Sequence, residues 1–181
     1  MKYLLDGEST LRLSFRCIQA SDFNLWLAFF HSPVAHLHWK APQEDPIDAC
    51  RNWYKRQDER YTSDLGGMNV LIERVSGKLV GHCGLLVQEV DGKSELEIGY
   101  SLLPDYWNRG YATEAAKKCR DFAFAHNLTE SLISIISVSN HPSQRVAQRN
   151  GMAIDKETIY KENKVFIYRI IRDQWEALGS G

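Results

Sequence analysis

ELEIGYSLLPDYWNRGYATEA, residues 95–115, is the stretch of sequence that decides the fold. Its first half predicts a strand, which Pro104 ends because proline cannot donate to a sheet ladder. Its second half turns through Arg109 and Gly110 and runs directly into an alanine-rich helix. Backbone N–H groups converge at such a helix N-terminus, where the helix dipole is positive. The stretch therefore predicts a loop that can hold an anion such as a pyrophosphate.

This loop carries neither of the two common nucleotide-binding motifs. It lacks the Gly-x-Gly-x-x-Gly spacing of dinucleotide-binding loops, and it lacks the Gly-Lys-Ser/Thr ending of a P-loop. Taken alone, the pair Gly110 and Ala112 favours an ordinary turn between a strand and a helix over a phosphate-binding loop.

Strands and helices are predicted on both sides of this stretch. Alternation of apolar and polar residues indicates strands, and an apolar residue every three or four positions indicates helices. The order β-α-α-β-β-β-α-β-α-β-β predicts an α/β (α+β) fold with a mixed, mostly antiparallel sheet flanked by helices. The elements are predicted at 11–16 (strand), 23–30 and 46–60 (helices), 69–75, 78–90 and 95–103 (strands), 112–127 (helix), 132–138 (strand), 142–149 (helix), and 152–160 and 164–171 (strands).

Length and charge limit the class of protein. The 181 residues predict one domain over positions 1–178, followed by a flexible Gly-Ser-Gly tail at 179–181. The 22 Lys and Arg residues balance 23 Asp and Glu residues, which argues against binding to nucleic acid through overall charge. No apolar run approaches the roughly 20 residues that span a bilayer, and no secretory signal begins the chain. We therefore expect a cytoplasmic protein that binds neither nucleic acid nor membrane.

The cysteines and histidines do not predict a metal site. The four cysteines are spaced irregularly and show no zinc-ligand pattern, so we interpret them as reduced thiols. His36 and His38 lie beside Trp39, but no third ligand is evident, and we interpret this segment as a solvated loop.

The stretch 95–115 as a whole resembles motif A of the GNAT superfamily of acetyl-CoA-dependent N-acetyltransferases, in particular the RimJ/RimL-like branch that acetylates ribosomal proteins. Residues 97–100 and 107–115 carry the most specific part of this resemblance. The predicted order of elements is also that of the GNAT fold. Further segments that resemble the family are residues 10–16, 79–85, 140–143 and 149–152.

The resemblance implies acetyl-CoA as the co-substrate, with no metal. In this family the pantetheine arm pairs with the fourth strand, which implies the main chain of Tyr100, Ser101 and Leu102. Asn140 and Ser143 are implied as further cofactor contacts. The implied pyrophosphate contacts are Asn108, Arg109, Gly110, Tyr111, Ala112 and Thr113.

The resemblance also implies catalytic residues. Glu97 is the first candidate for the base, and Glu162 is its rival; a structural or solvated carboxylate is the alternative for each. Ser143 is the candidate acid, which would hydrogen-bond the departing thiolate. Many GNAT enzymes place an acidic Tyr at the position of Ala147, and an alanine cannot donate a proton. Asn140 and Ser143 could instead only cap the short helix that follows them.

The implied function is direct acetyl transfer from acetyl-CoA to a primary amine in a ternary complex. No cysteine occupies an obvious nucleophile position, which disfavours a covalent acetyl-enzyme. The acceptor is either a protein N-terminal amine or a small-molecule amine. The alternative is a non-catalytic acyl-CoA-binding module that acts as a sensor or scaffold. The oligomeric state is open, and a homodimer is among the alternatives.

Overall fold

The computed structural model describes residues 2–35, 37–38 and 44–179. Two short 3₁₀ turns, Ala20–Asp22 and Pro104–Tyr106, connect some of the elements. No helix within the described residues is long and apolar enough to cross a membrane. The elements are β1 (Leu13–Arg16), α1 (Phe23–His31), α2 (Pro46–Thr62), β2 (Gly66–Glu73), β3 (Leu79–Val90), β4 (Lys93–Leu102), α3 (Tyr111–Ala125), β5 (Ser131–Ser137), α4 (His141–Arg149), β6 (Ala153–Tyr160), β7 (Asn163–Ile171) and α5 (Arg172–Leu178).

The seven strands form one sheet in the order β1-β2-β3-β4-β5-β7-β6. Every neighbouring pair is antiparallel except β4 and β5, which are parallel. The predicted fold class and order of elements are thereby confirmed. Helix α5 was not predicted, because it starts directly at the end of β7, and Ile171 at its N-cap is not a capping residue type.

Helices cover both faces of the sheet. One layer contains α3 and α4, whose buried residues Ala115, Phe124 and Ala147 belong to the same apolar cluster as Ile98 of β4. On the other face, Trp26 of α1 packs in a cluster with Val70 of β2. Because side chains alternate between the two faces of a strand, β2 contributes to both clusters, with Leu71 in the first and Val70 in the second.

Two tight hairpin turns determine the strand register. Asp91 and Gly92, predicted as a hairpin turn, both have positive φ (50° and 73°), as a type I′ turn requires. Lys161 and Glu162 adopt the same conformation, with φ of 46° and 62°, between β6 and β7. Glu162 therefore lies at the tip of a hairpin.

A few sequence predictions need correction or fall outside the described residues. The first strand is predicted from residue 11, but β1 starts only at Leu13, and the side chain of Leu11 is 86% exposed. Residues 36, 39, 180 and 181 lie outside the described residues, so the predictions for His36, Trp39 and the end of the tail stay predictions. The cysteines are free thiols, as predicted; three are buried and Cys17 is half-buried.

Candidate active site

The central feature of the site is a cleft between β4 and β5. The two strands pair only at Leu96↔Leu132 and Glu97↔Ile133. Beyond these pairs β4 continues to Leu102 and β5 to Ser137 without pairing with each other. We call the space between residues 98–102 and 134–137 the β4–β5 cleft. It opens at the end of β4 from which the loop to α3 departs.

The register of β4 determines which backbone groups face the cleft. The Leu103 N–H donates to the Val80 C=O at 3.0 Å, so residue 103 is directed toward β3. Backbone directions alternate along an antiparallel strand, so the N–H and C=O of Ser101 also face β3, whereas those of Tyr100 and Leu102 face the cleft. The Leu102 C=O already accepts from the Trp107 indole N–H at 2.8 Å. Ser101 thus lies at the cleft without directing its own backbone groups into it.

Across the cleft, α4 presents Asn140 and Ser143. Asn140 is the N-cap of α4, and its Oδ1 accepts from the Ser143 backbone N–H at 3.1 Å. The Tyr100 hydroxyl donates to the Ser143 C=O at 2.9 Å and so connects β4 to α4. The capping function of Asn140 is therefore seen directly, and it holds both residues at the cleft.

The N-terminus of α3 forms the second part of the site. Gly110 is its N-cap, in the left-handed conformation with φ of 82° that a side chain would strain. A Cβ at this position would also come within 3.3 Å of the Arg12 Nη2. Glycine has no side chain with which to cap the helix, so the first N–H groups of α3 stay accessible to an anionic ligand.

A network of polar contacts holds this loop in place. Glu114, in the first turn of α3, accepts from the Thr10 hydroxyl at 2.6 Å and from the Arg12 Nε at 2.6 Å. Arg12 also donates to the Arg109 C=O at 2.9 Å. The Tyr111 hydroxyl donates to Glu73, so its side chain points into the protein. Of Tyr111, only the backbone N–H can face a ligand at the helix end.

Glu97 lies where β4 and β5 begin to diverge, with its side chain on the opposite face of the sheet from Tyr100. It is half-buried, and the Gln88 side-chain amide donates to its Oε2 at 2.7 Å. Burial raises the pKa of Glu97 above the usual value for a glutamate, while Gln88 and the nearby Ile135 N–H oppose that rise. Glu97 thus combines a fixed orientation with a pKa raised by burial.

Glu162 occupies a different environment. It is exposed at the tip of the β6–β7 hairpin. Its neighbour Lys161 acts electrostatically on Glu97, so the hairpin tip lies on the Glu97 side of the cleft. The structure brings Glu97, Tyr100, Asn140 and Ser143 together around the cleft and places Glu162 at its periphery.

Three residues of this region were not predicted from the sequence. Gln88 orients Glu97, and the Ser134 hydroxyl donates to the Ile98 C=O at 2.9 Å. His82, fully buried between the rings of Trp26 and Trp53, is the cross-strand partner of Ser101. For Ser134, a hydroxyl flanked by the apolar residues Ile133 and Ile135 was an available signal. Gln88 and His82 depend on pairings between strands that no local pattern reveals.

The structure and sequence resemble known acetyltransferases. A family model for the acetyltransferase (GNAT) domain matches residues 12–153. The uncharacterized protein YkkB of Bacillus subtilis is 29% identical over 157 residues, which cover 86% of this chain and 89% of YkkB. The acetyltransferase structure from Agrobacterium tumefaciens has a TM-score of 0.76 and 25% identity, and the match covers 90% of this chain and 92% of that one.

A further solved structure has the same fold with a bound ligand. RimL, a ribosomal L7/L12 alpha-N-protein acetyltransferase in complex with coenzyme A, has a TM-score of 0.75 at 15% identity, and the match covers 93% of this chain and 98% of RimL. The family match spans the cleft and the N-terminus of α3 and ends at Ala153, the first residue of β6. The sequence prediction of the family is therefore confirmed: the chain belongs to the GNAT acetyltransferases, enzymes that transfer an acetyl group from acetyl-CoA to an amine.

Proposed function

We propose that this protein transfers the acetyl group of acetyl-CoA directly to a primary amine in a ternary complex. The observation that carries the proposal is the β4–β5 cleft, which leads from the half-buried carboxyl group of Glu97 to the N-terminus of α3. A thioester arm that lies along this cleft would have its reacting carbon near Glu97 and its phosphates near the loop 108–113.

The residues around the cleft fit acetyl-CoA. The backbone N–H groups that follow Gly110 supply donors for a pyrophosphate, and Asn108 and Arg109 extend this surface. The backbone groups of Tyr100 and the N–H of Leu102 can pair with the amide groups of the pantetheine arm. Ser101 lies at the cleft, but its backbone N–H and C=O are directed toward β3 and do not pair with the pantetheine arm. Ala112 and Thr113 complete the proposed phosphate contacts.

Glu97 is the proposed base. An amine attacks only when it is uncharged, so a group must accept its proton. The raised pKa of Glu97 brings the carboxylate closer to the range in which a base is effective at neutral pH. Gln88 holds the carboxylate in one orientation through the 2.7 Å hydrogen bond. Glu162 is the rival base, because the hairpin tip lies on the same side of the cleft.

Ser143 is the proposed partner of the departing thiolate. Its hydroxyl can donate a hydrogen bond and relay a proton from solvent to the sulfur. At the position where many GNAT enzymes have a tyrosine acid, this chain has the buried Ala147. Asn140 fixes the turn that carries Ser143, so its capping function also supports the chemistry.

The acceptor is a protein N-terminal amine or a small-molecule amine, in a protein we expect in the cytoplasm. The net charge of −1 gives little long-range attraction to a basic partner, so it favours neither class. A homodimer remains one of the states to be tested. Ala147 favours a second candidate function, a non-catalytic acyl-CoA-binding module.

A thiol-release assay over a panel of amines and N-terminal peptides tests the proposal. We expect coenzyme A to be released only when acetyl-CoA and a suitable amine are present together. Calorimetric binding of acetyl-CoA without thiol release over the whole panel would instead support the non-catalytic module. Direct transfer would be contradicted by a covalent acetyl-enzyme. Such an intermediate would be seen by mass spectrometry after the enzyme is mixed with acetyl-CoA alone, and it would pass its acetyl group to an amine that is added later.

A further inference from the structure

The inner end of the β4–β5 cleft is formed by one specific change in hydrogen bonding. The parallel ladder ends at the pair Glu97↔Ile133. If the ladder continued by one step, the Ile135 N–H would donate to the Ile98 C=O. Instead, the Ile98 C=O accepts from the Ser134 side-chain hydroxyl at 2.9 Å. The Ile135 N–H faces the Glu97 carboxylate and lowers its pKa.

The Ile98 C=O is thus paired with a side-chain hydroxyl and not with the Ile135 N–H, so the two backbone groups do not pair with each other. Ser134 is 2% exposed, so water does not substitute for its hydroxyl in the folded protein. Buried backbone groups nearly always find a partner, and an unpaired one is unfavourable. Because the Ile98 C=O already accepts a hydrogen bond from Ser134, a bond from the Ile135 N–H would add less stabilisation. The extension of the β4–β5 ladder is therefore less favourable.

We propose that Ser134 is a positioning residue that keeps the β4–β5 cleft open for acetyl-CoA. Its hydroxyl caps the Ile98 C=O, and the Glu97 carboxylate acts on the opposite strand at the Ile135 N–H. The cleft is then preorganised, and the cofactor does not have to separate two paired strands on binding. This inference rests on the proposed function, because it places the pantetheine arm in the cleft.

Removal of the hydroxyl tests this inference. In Ser134→Ala the Ile98 C=O loses its cap and can accept the Ile135 N–H, which extends the ladder by one step. We expect the affinity for coenzyme A, measured by calorimetry, to fall about tenfold. In the unliganded protein we expect the Ile135 amide to exchange with solvent about tenfold more slowly, measured by NMR. Ser134→Thr retains a hydroxyl and should restore both values toward those of the wild type.

Ser131→Ala is the matched control, since it removes a hydroxyl from the start of the same strand, where Ser131 accepts from Arg169 at 2.6 Å. It should change neither measurement. Unchanged coenzyme A affinity in a folded Ser134→Ala variant would overturn the inference, and so would an unchanged exchange rate at Ile135. Failure of the proposed function would give a different result, because the wild-type protein itself would then bind no coenzyme A. The exchange rate of the Ile135 amide would still show whether Ser134 holds the strands apart.

Discussion

Glu97 and Glu162 carry the same functional group in opposite surroundings. Glu97 is half-buried and accepts from Gln88, whereas Glu162 is exposed at a hairpin tip. In Glu97→Gln we expect unchanged affinity for acetyl-CoA and a turnover about 100- to 10,000-fold lower, because an amide cannot accept the proton of the amine. The rate of thiol release at saturating acetyl-CoA measures the turnover.

Glu162→Gln is the matched control for Glu97→Gln. We expect near wild-type turnover from it, because its side chain is exposed at the tip of the β6–β7 hairpin. In the wild type the rate should rise with pH as Glu97 loses its proton, and burial shifts this rise above the usual range of a glutamate pKa. The rise should disappear in Glu97→Gln. A large loss in Glu162→Gln alone would transfer the role of base to Glu162.

The hydrogen bond between Asn140 and Ser143 allows the helix-capping role of Asn140 to be tested separately from the proposed catalytic role of the Ser143 hydroxyl. Asn140 Oδ1 accepts from the backbone N–H of Ser143, not from its hydroxyl. Ser143→Ala therefore keeps the cap, and we expect unchanged stability with a turnover reduced less than in Glu97→Gln. Urea unfolding and thiol release on the same preparation check both expectations.

Asn140→Ala removes the cap itself. It should lower the free energy of unfolding by about 1 kcal/mol, and Asn140→Ser should restore most of that loss because serine also caps helices. If Ser143→Ala destabilised the protein as much as Asn140→Ala, the hydroxyl would have a structural function instead of a chemical one.

At the scale of elements, the proposed phosphate site at the N-terminus of α3 can be tested by a substitution of Gly110. Gly110→Asp would place a negative charge where phosphates are proposed to bind, in a left-handed position that favours glycine. We expect the affinity for coenzyme A to fall about tenfold or more, which is roughly 1.4 kcal/mol. Isothermal calorimetry on the folded variant measures this change.

Gly92→Asp is the control for Gly110→Asp. Gly92 also has positive φ, at 73°, and a Cβ there would meet nothing within 4 Å. It lies in the hairpin turn at the far end of β4, so its substitution should leave coenzyme A binding unchanged. Equal losses in both variants would indicate a general effect of charge or backbone strain and would remove the support for a phosphate site at α3.

Local signals predicted most of the elements and the family, and contacts between distant segments account for what was missed. The hairpin at Asp91-Gly92 was predictable because the turn type determines the residue types. The direction of the Ser101 backbone groups was not predictable, because it depends on the hydrogen-bonding register between β4 and β3. The partner of Ser134 lies on another strand, 36 residues away, and no periodic pattern specifies it.

At the scale of the whole molecule, His82 couples stability to pH. Its ring is fully buried, and neither ring nitrogen has a hydrogen-bond partner among the described residues. Burial lowers the pKa of His82 to about 3, below the 6.5 of an ordinary histidine. The unfolded chain therefore binds a proton that the folded protein does not bind between these values, and stability falls as the pH falls through this window.

From pH 7 to pH 5 this effect should cost about 2 kcal/mol of unfolding free energy. His82→Phe removes the titrating group and keeps an aromatic ring between Trp26 and Trp53. Urea unfolding at the two pH values should show the wild type losing about 2 kcal/mol more than His82→Phe. Other groups, including Glu97, titrate in both proteins and cancel in this comparison. Equal losses in the two proteins would mean that the folded protein protonates His82 readily.

The alternating backbone of β4 has a consequence for how such an enzyme can evolve. The groups proposed to pair with acetyl-CoA belong to the main chain, at Tyr100 and Leu102, and every L-amino acid except proline supplies them equally. Substitutions on the other face of the strand, where Glu97 lies, leave these groups in place. A lineage can therefore change the amine that it recognises by ordinary point mutation, while its use of the common acetyl donor is inherited unchanged.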